Sequence, residues 1–383
     1  MQIDFHHGTT YVLARLAGFE QPEAEIIAYC AQYVDDATNK ATIKFSNGAL
    51  FERIASAHKM LDYKNFKELD NHKCWIPFHF LPGNQGKAAG ENPGAGFYNK
   101  IVCTPNSHVA QDMVRACIEE KDKPWALHRL GISMHVYADT FAHQGFAGVT
   151  HAINRVENIE ALDDDEDAGF FGRLKDSFGD KWDDVKSGLV GDVFPLGHGA
   201  ALSYPDRPFL NWTYDRPLIG VNGKVVKGRD GKEKLTAVVR SNPDDFMSAC
   251  YHLHNAMQRF KLGNADAHVQ ELSARDSDML QELFTTLTDT DGEKRHKHWL
   301  DAIAAGKFSF GAETVNYIGE GPGSWKYQIL GETLEGPDDE ITPEYPFKRE
   351  FLTSNWKYFH DAALAHRFDV IHNILPRYGI CVA

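Results

Sequence analysis

A mainly α-helical chain with one β-hairpin insertion is what the sequence predicts, and three observations predict it. Apolar side chains recur at helical spacing in several long stretches, most clearly in FLTSNWKYFHDAALAHRFDVIHNIL near the end of the chain. Alternation of apolar and polar residues is confined to one region, 217–240. Gly, Pro and Asn gather in long segments between helical stretches instead of punctuating many short strands.

In chain order, residues 8–34 read as a helix pair: TTYVLARLAGF, a break at Gly18, then QPEAEIIAYCAQYV with Pro22 near the helix start. NGALFERIASAHKMLD reads as a further amphipathic helix. From about Trp75 to Pro105 the composition turns to loop (FHFLPGNQGKAAGENPGAGFYNK), and long ordered loops in compact domains are often functional. SHVAQDMVRACIEEKD restores helix, and Pro124 opens another that runs through HVYADTFAHQGF. Asp163 to Asp167 form an acidic turn, and GRLKDSFGDKWDDVKSGL is weakly helical. PLIGVNGKVVKGRDGKEKLTAVVR alternates around NGK and RDGK, the pattern of a β-hairpin. Helices resume at NPDDFMSACYHLHNAMQRF, ARDSDMLQELFTTL and EKRHKHWLDAIAAG, and loop returns over 307–347. No internal repeat stands out. The expected organisation is a single large helical domain over 1–383, with a core at 1–215, a hairpin insertion at 216–241 and a helical extension at 242–383.

The bulk numbers narrow the function classes. Of 383 residues, 43% are hydrophobic and 25% charged, enough for a sizeable core. A formal charge of −14 opposes non-specific binding to nucleic acid or to anionic membrane, except through a local basic surface. The six cysteines form no CxxC pair, so reduced and mostly buried thiols are expected. MQIDFHHGTT lacks the basic and apolar regions of a signal peptide, and no stretch approaches membrane-spanning length. The expectation is a soluble, cytoplasmic protein without a transmembrane segment, acting on a small-molecule or lipid substrate.

The chemistry concentrates in HVYADTFAH. On a helix each four-residue step turns the chain about 400°, so His135, Asp139 and His143 drift only ~40° per step and share one face. Two imidazoles and a carboxylate on one stripe suit a metal, or a polar seam against another polar helix. Further candidates lie elsewhere: His6 and His7 in IDFHHG, Asp35 and Asp36 in AQYVDDAT, His79 in WIPFHFLPG, and His198 with Asp206 in PLGHGAALSYPDRPFLNWTY. Two carboxylates at a helix C-terminus meet the negative end of the helix dipole, unfavourable unless a cation compensates. His79, flanked by apolar residues and prolines, is expected to be buried with a partner. His128, one heptad before His135, and Asp4 are candidate supporting groups. His252, His254, His360 and His366 are read as structural, surface or partner-facing.

HVYADTFAH in a helix beginning WALHRLGISM resembles the H-x-x-x-D-x-x-x-H helix of the zinc-dependent phospholipase C superfamily. In particular it resembles the branch containing glycosylphosphatidylinositol-specific phospholipase D and its bacterial relatives. The DFH, YVLARLAGF and QYVDDA strings resemble a narrower bacterial family without a characterised function. The resemblance spans roughly residues 1–215 and implies a helical bundle holding two or three Zn²⁺ ions, with other divalent metals as substitutes. Carried over residue by residue, His6 or His7 is the early ligand, Asp35 or Asp36 the helix-end aspartate and His79 the mid-chain histidine. His135 and Asp139 then complete one set, and His143, His198 and Asp206 another. The secreted members ligate metal with an N-terminal tryptophan amine, whereas this chain starts with Met1 and has no tryptophan nearby. The implied activity is hydrolysis of a phosphodiester or related phosphate ester, a phospholipid among them, by metal-activated water, with Asp35 or Asp36 as bridging ligand or base. The alternatives are a non-catalytic helical scaffold with a structural metal, and a nuclease of the same superfamily.

Overall fold

The computed structural model describes residues 1–57, 68–162, 196–331 and 344–382. The expected acidic turn at Asp163–Asp167 and the weak helix after it lie outside the described residues. Helices dominate. A π-helical turn, Asp4–Thr9, runs into α1 (Thr10–Leu16). Gly18, at φ +89, then reverses the chain into α2 (Gln21–Asp36), which starts on a reciprocal Glu20–Glu23 capping box with Pro22 in its first turn. There follow α3 (Glu68–Phe78), α4 (His108–Glu119, capped by Ser107) and α5 (Ala126–Ala142). Beyond the β region come α6 (Asn242–Leu262), α7 (Ala274–Thr286), α8 (Gly292–Ala304) and α9 (Asn355–Phe368).

Helix α5 is the axis of the molecule: α2, α3, α4, α6 and α9 all pack on it, and Leu127 alone of its residues is not fully buried. Its crossing with α2 depends on Gly131, where a Cβ would lie 2.3 Å from the Ile27 carbonyl oxygen. Because α6 and α9 share this core, the described residues after 241 complete the bundle instead of extending it.

Two small sheets flank the helices. In one, β1 (Ile43–Phe45) pairs antiparallel with β2 (Leu50–Phe51) and parallel with β6 (Glu344–Tyr345). The helix expected over NGALFERIASAHKMLD is therefore not formed in its first part. Asn47 and Gly48 make a turn, with the Ala49 N–H donating to Asn47 Oδ1 at 3.0 Å, and Ile43 and Phe45 alternate inward. The other sheet orders β3 (Glu157–Ala161), β4 (Asn211–Pro217) and β5 (Leu235–Ser241), all antiparallel. The hairpin thus starts at Asn211, five residues before the expected boundary, and is joined to the core through β3.

The loop expected from Trp75 also begins later. Helix α3 continues to Phe78 with Pro77 in its last turn, so His79 directly follows a helix end. The buried imidazole of His366 on α9 donates to the Pro77 carbonyl at 2.8 Å and pins that end. His360 is likewise buried, accepting from the Ile54 N–H at 3.1 Å, so neither histidine is at the surface as expected. Five cysteines are buried and free, with only Cys381 exposed. Among the described residues no helix is long and apolar enough to cross a membrane.

Candidate metal centre

Asp139, in the last turn of α5, is a fully buried carboxylate ringed by imidazoles. Its Oδ2 lies 3.2 Å from His135 Nε2, 3.3 Å from His79 Nδ1 and 3.5 Å from His143 Nδ1; its Oδ1 lies 3.3 Å from His6 Nε2. Three segments far apart in sequence are thereby brought together: the N-terminal π turn, the end of α3, and α5 with the turn that follows it. Asp35, at the end of α2, brings Oδ1 to 3.8 Å from His79 Nδ1 and 3.9 Å from His135 Nε2.

A second cluster adjoins the first. His143 Nε2 is 3.5 Å from Asp206 Oδ1, and His198 Nε2 is 3.6 Å from Asp206 Oδ2. Phe80 stacks on the His143 ring at 4.7 Å between centroids and supplies an apolar wall. Between the clusters sits the α-amino group of Met1, 2.7 Å from Asp139 Oδ1 and 3.2 Å from Asp206 Oδ1. The sequence reading missed this group, although His6 only five residues downstream ties the start of the chain to the site.

Each of four histidines donates one ring nitrogen to a backbone carbonyl. His135 Nδ1 donates to Ala31 at 2.7 Å, His143 Nδ1 to His79 at 2.8 Å, His198 Nδ1 to Leu202 at 2.9 Å and His79 Nε2 to Ser56 at 2.9 Å. A carbonyl only accepts, so the outward nitrogen of each carries the proton, and in the neutral ring the inward nitrogen presents a lone pair to the carboxylates. Fixing the tautomer through the outer nitrogen is how proteins orient metal-ligating imidazoles. Leu202 holds its place at φ +54, a backbone region an L side chain seldom adopts.

Charge follows the same logic. Burial lowers the His6 and His198 pKa values to about 4, keeping both rings neutral, the form that ligates. Burial alone would raise Asp139, but His143, the Met1 amine, His135 and His6 together hold it well below the ordinary carboxylate range. Asp206 is depressed by the same amine with His198 and His143, against the same opposing burial. For the amine, burial is again opposed, and the two aspartates raise it to about 11.

Divalent cations suit this donor set. His135 Nε2 and His79 Nδ1 face each other at 3.2 Å, two lone pairs in the neutral tautomers fixed above, an arrangement that repels unless something positive lies between. Donors about 2.0–2.1 Å from a tetrahedral Zn²⁺ stand roughly 3.3 Å apart, close to the separations around Asp139. Both His6 ring nitrogens, His143 Nε2 and Asp206 Oδ1 are buried without a hydrogen-bond partner. Among the described residues three groups have ligand atoms mutually within 4.8 Å, the first two sharing His135: His6, Asp35 and His135; His79, His135 and Asp139; His143, His198 and Asp206.

Four candidates fall outside. In the π turn, consecutive histidines point apart: His6 enters the cluster, while His7 Nδ1 meets His296 Nε2 on α8 at 2.9 Å. At the end of α2, Asp36 turns away from Asp35 and accepts from the Tyr317 hydroxyl; burial lifts its pKa to about 6. Asp4 is paired with Arg295 at 2.6 Å, and His128 is bonded to Asn355 at 3.1 Å, so neither touches a ligand. A one-residue step around a helix turns a side chain by ~100°, and that step separates each of the two doublets.

The sequence profile of a family of unknown function (DUF6765) matches residues 1–374. No curated protein and no solved structure matches the chain.

Proposed function

From the premise that the chain belongs to the DUF6765 family, we propose that it is a metal-dependent hydrolase of phosphodiesters or related phosphate esters, holding two or three divalent cations with zinc the first choice. The observation that carries this reading is the set of four imidazoles pinned outward on backbone carbonyls with their free nitrogens converging on Asp139 and Asp206. The likeness of the His135–Asp139–His143 helix to that of the zinc-dependent phospholipases C supports the same class.

Asp35, His79, His135 and Asp139 would hold one cation, and His143, His198 and Asp206 a second. His6 with the Met1 amine and Asp139 is a third donor set, available once the amine is deprotonated. Bound there, dications acidify water and offset the charge of a phosphate ester's oxygens. The chain's own residues do the rest. Asp139 presents one oxygen to each side and ties the donor sets together. The carbonyl bonds hold each imidazole in one tautomer, so orientation is set before anything binds. The Phe80 wall excludes water from the His143 side. Asp35, with its side chain 33% exposed, is the acidic group at the solvent edge and is placed to accept a proton from an entering water. That edge also separates an enzyme from a scaffold, since structural zinc sites are closed on all sides.

The test is metal analysis after chelation and reloading, together with hydrolysis of bis(p-nitrophenyl) phosphate by wild type and Asp139→Ala. The expected result is two or more equivalents of zinc and a rate that falls at least a hundredfold in the variant. Less than one equivalent at saturation, or equal rates in both proteins, overturns the proposal.

A further inference from the structure

Between β4 and β5 the chain makes two copies of one turn. Gly220-Val221-Asn222-Gly223-Lys224 and Gly228-Arg229-Asp230-Gly231-Lys232 are spaced eight residues apart. Their hydrogen bonds correspond one for one. The Gly220 N–H donates to the Lys224 carbonyl at 2.9 Å, as Gly228 does to Lys232 at 2.7 Å. The Lys224 N–H donates to Asn222 Oδ1 at 3.1 Å, as Lys232 does to Asp230 Oδ1 at 3.1 Å. The Leu218, Val226 and Lys234 backbones close the base in a cycle: 218 donates to 234, 234 to 226 and 226 to 218. The expected single hairpin is thus a duplicated two-turn tip, a repeat the sequence reading did not find.

This tip carries charge opposite to that of the chain as a whole. Lys224, Lys227, Arg229, Lys232 and Lys234 are all exposed, and among the described residues no ion pair occupies any of them. Of the acids here, Asp230 caps its own turn and Glu233 is paired with Arg155 at 2.8 Å. Exposed aliphatic side chains are interleaved with the cations: Val221 (73%), Val239 (71%), Leu218 (46%) and Leu235 (39%). The sheet beneath is tied to the candidate centre. Strand β4 begins five residues after Asp206, and Arg240 of β5 donates to the Phe141 and Ala142 carbonyls just before His143.

We propose that this two-turn tip docks the protein on an anionic lipid bilayer and presents the bilayer's headgroups to the metal centre. Clustered lysines and arginines beside aliphatic side chains are the combination that holds a protein at an anionic membrane surface, each contributing where the other is weak. A nucleic-acid surface of the same charge would call for stacking aromatics, and residues 218–239 contain none. The chain's net charge of −14 lies outside this cationic tip, so the tip also sets orientation. The identity of the headgroup as substrate rests on the hydrolase reading; the docking itself does not.

The experiment is co-flotation of the full chain with vesicles of phosphatidylcholine alone or with 30% phosphatidylserine, at low and high salt. Binding is expected to the anionic vesicles only, and to weaken with salt. Each lysine near an anionic surface contributes about fivefold in affinity, so Lys224→Gln with Lys232→Gln should weaken binding roughly 25-fold. Val221→Ser, which changes no charge, should weaken it as well, which pure charge attraction would not predict. Hydrolysis of soluble bis(p-nitrophenyl) phosphate is measured on the same variants and is expected to match wild type. That control keeps a failed docking site distinct from a failed hydrolase. Absence of flotation with anionic vesicles, equal flotation with neutral ones, or tight capture of a duplex oligonucleotide in place of vesicles each overturns the proposal.

Discussion

One methyl group placed at Gly131, which bears no metal-ligating atom, should loosen the candidate metal centre. A Cβ at this position would stand 2.3 Å from the Ile27 carbonyl oxygen and 2.6 Å from the Cys30 Cβ. Ordinary contacts between such atoms are about 3.5 Å, so α2 and α5 must part by roughly 1 Å. The same crossing brings the Ala31 carbonyl to His135 Nδ1 at 2.7 Å. Parting the helices by that amount would stretch this bond to roughly 3.7 Å, outside hydrogen-bonding range. His135, one turn beyond Gly131, then loses the contact that fixes its tautomer, and losing such a support costs about 10–100-fold in metal affinity. Overpacking also costs about 1–3 kcal/mol of stability. Chelator competition on Gly131→Ala reads the affinity, and urea unfolding of the chelated protein reads the stability. If stability falls while zinc affinity stays within twofold of wild type, the helix crossing does not set the imidazole, and the reasoning from Gly131 to His135 is refuted.

Other outcomes follow from neighbouring contacts. Asp139→Asn should lose more than one equivalent of bound zinc while His198→Ala loses about one, because Asp139 faces both Met1 and the imidazoles; elemental analysis of the two variants separates them. Arg295→Ala leaves the Asp4 carboxylate buried and unpaired, at a cost of about 3–5 kcal/mol, and should unseat the π turn that carries His6; denaturant melts and zinc titration both register it. Stability should fall as pH drops from about 6.5 to about 4. Burial lowers His128 to about 4 from its unfolded 6.5, so the unfolded chain binds more protons across that window and protonation favours it. The contribution of His128 alone is on the order of 3 kcal/mol. Asp36, raised to about 6, works in the opposite direction over part of this window, so the check is the comparison of wild type with His128→Gln: a urea midpoint with the same pH slope in both would contradict the assignment of a buried neutral His128.

How much of this was legible in the sequence depended on the period of the signal. The four-residue spacing of His135, Asp139 and His143 is a helical period, so their shared face could be read directly and holds in the fold. Long amphipathic stretches such as α6 and α9 were legible for the same reason. Positions fixed by a single step around a helix were not: His6 against His7, and Asp35 against Asp36, differ by ~100° of rotation that no residue type reports. The segment around Asn47 misled because its apolar residues suit a helix, while an Asn-Gly turn and a partner strand from residues 344–345 decide for β structure. His360 and His366 sit among acids and cations in sequence, yet both are buried, since α9 turns that face to the core. Supporting contacts were invisible in principle. Each is a backbone carbonyl of Ala31, Ser56, His79 or Leu202, and a carbonyl has no residue identity to read.

The arrangement of those carbonyls bears on what the site is for. A buried histidine whose only task is packing needs one partner for its N–H and leaves the other nitrogen against apolar neighbours. That is the state of His366, with Nε2 on Pro77 and Nδ1 unpartnered beside Phe78. At the centre the outer nitrogens are satisfied in the same way, but the inner ones are aimed at one another and at ionised carboxylates. Folding has to bring these groups together against their mutual repulsion and their desolvation, a cost of several kcal/mol per buried ion. Against Asp35, Asp139 and Asp206 the described residues supply one fixed cation at contact distance, the Met1 ammonium. A helix bundle of this size could fill the same volume with leucine at no such cost. On the proposed reading the polar cluster is accounted for by what it would bind, and dications would supply the charge it lacks.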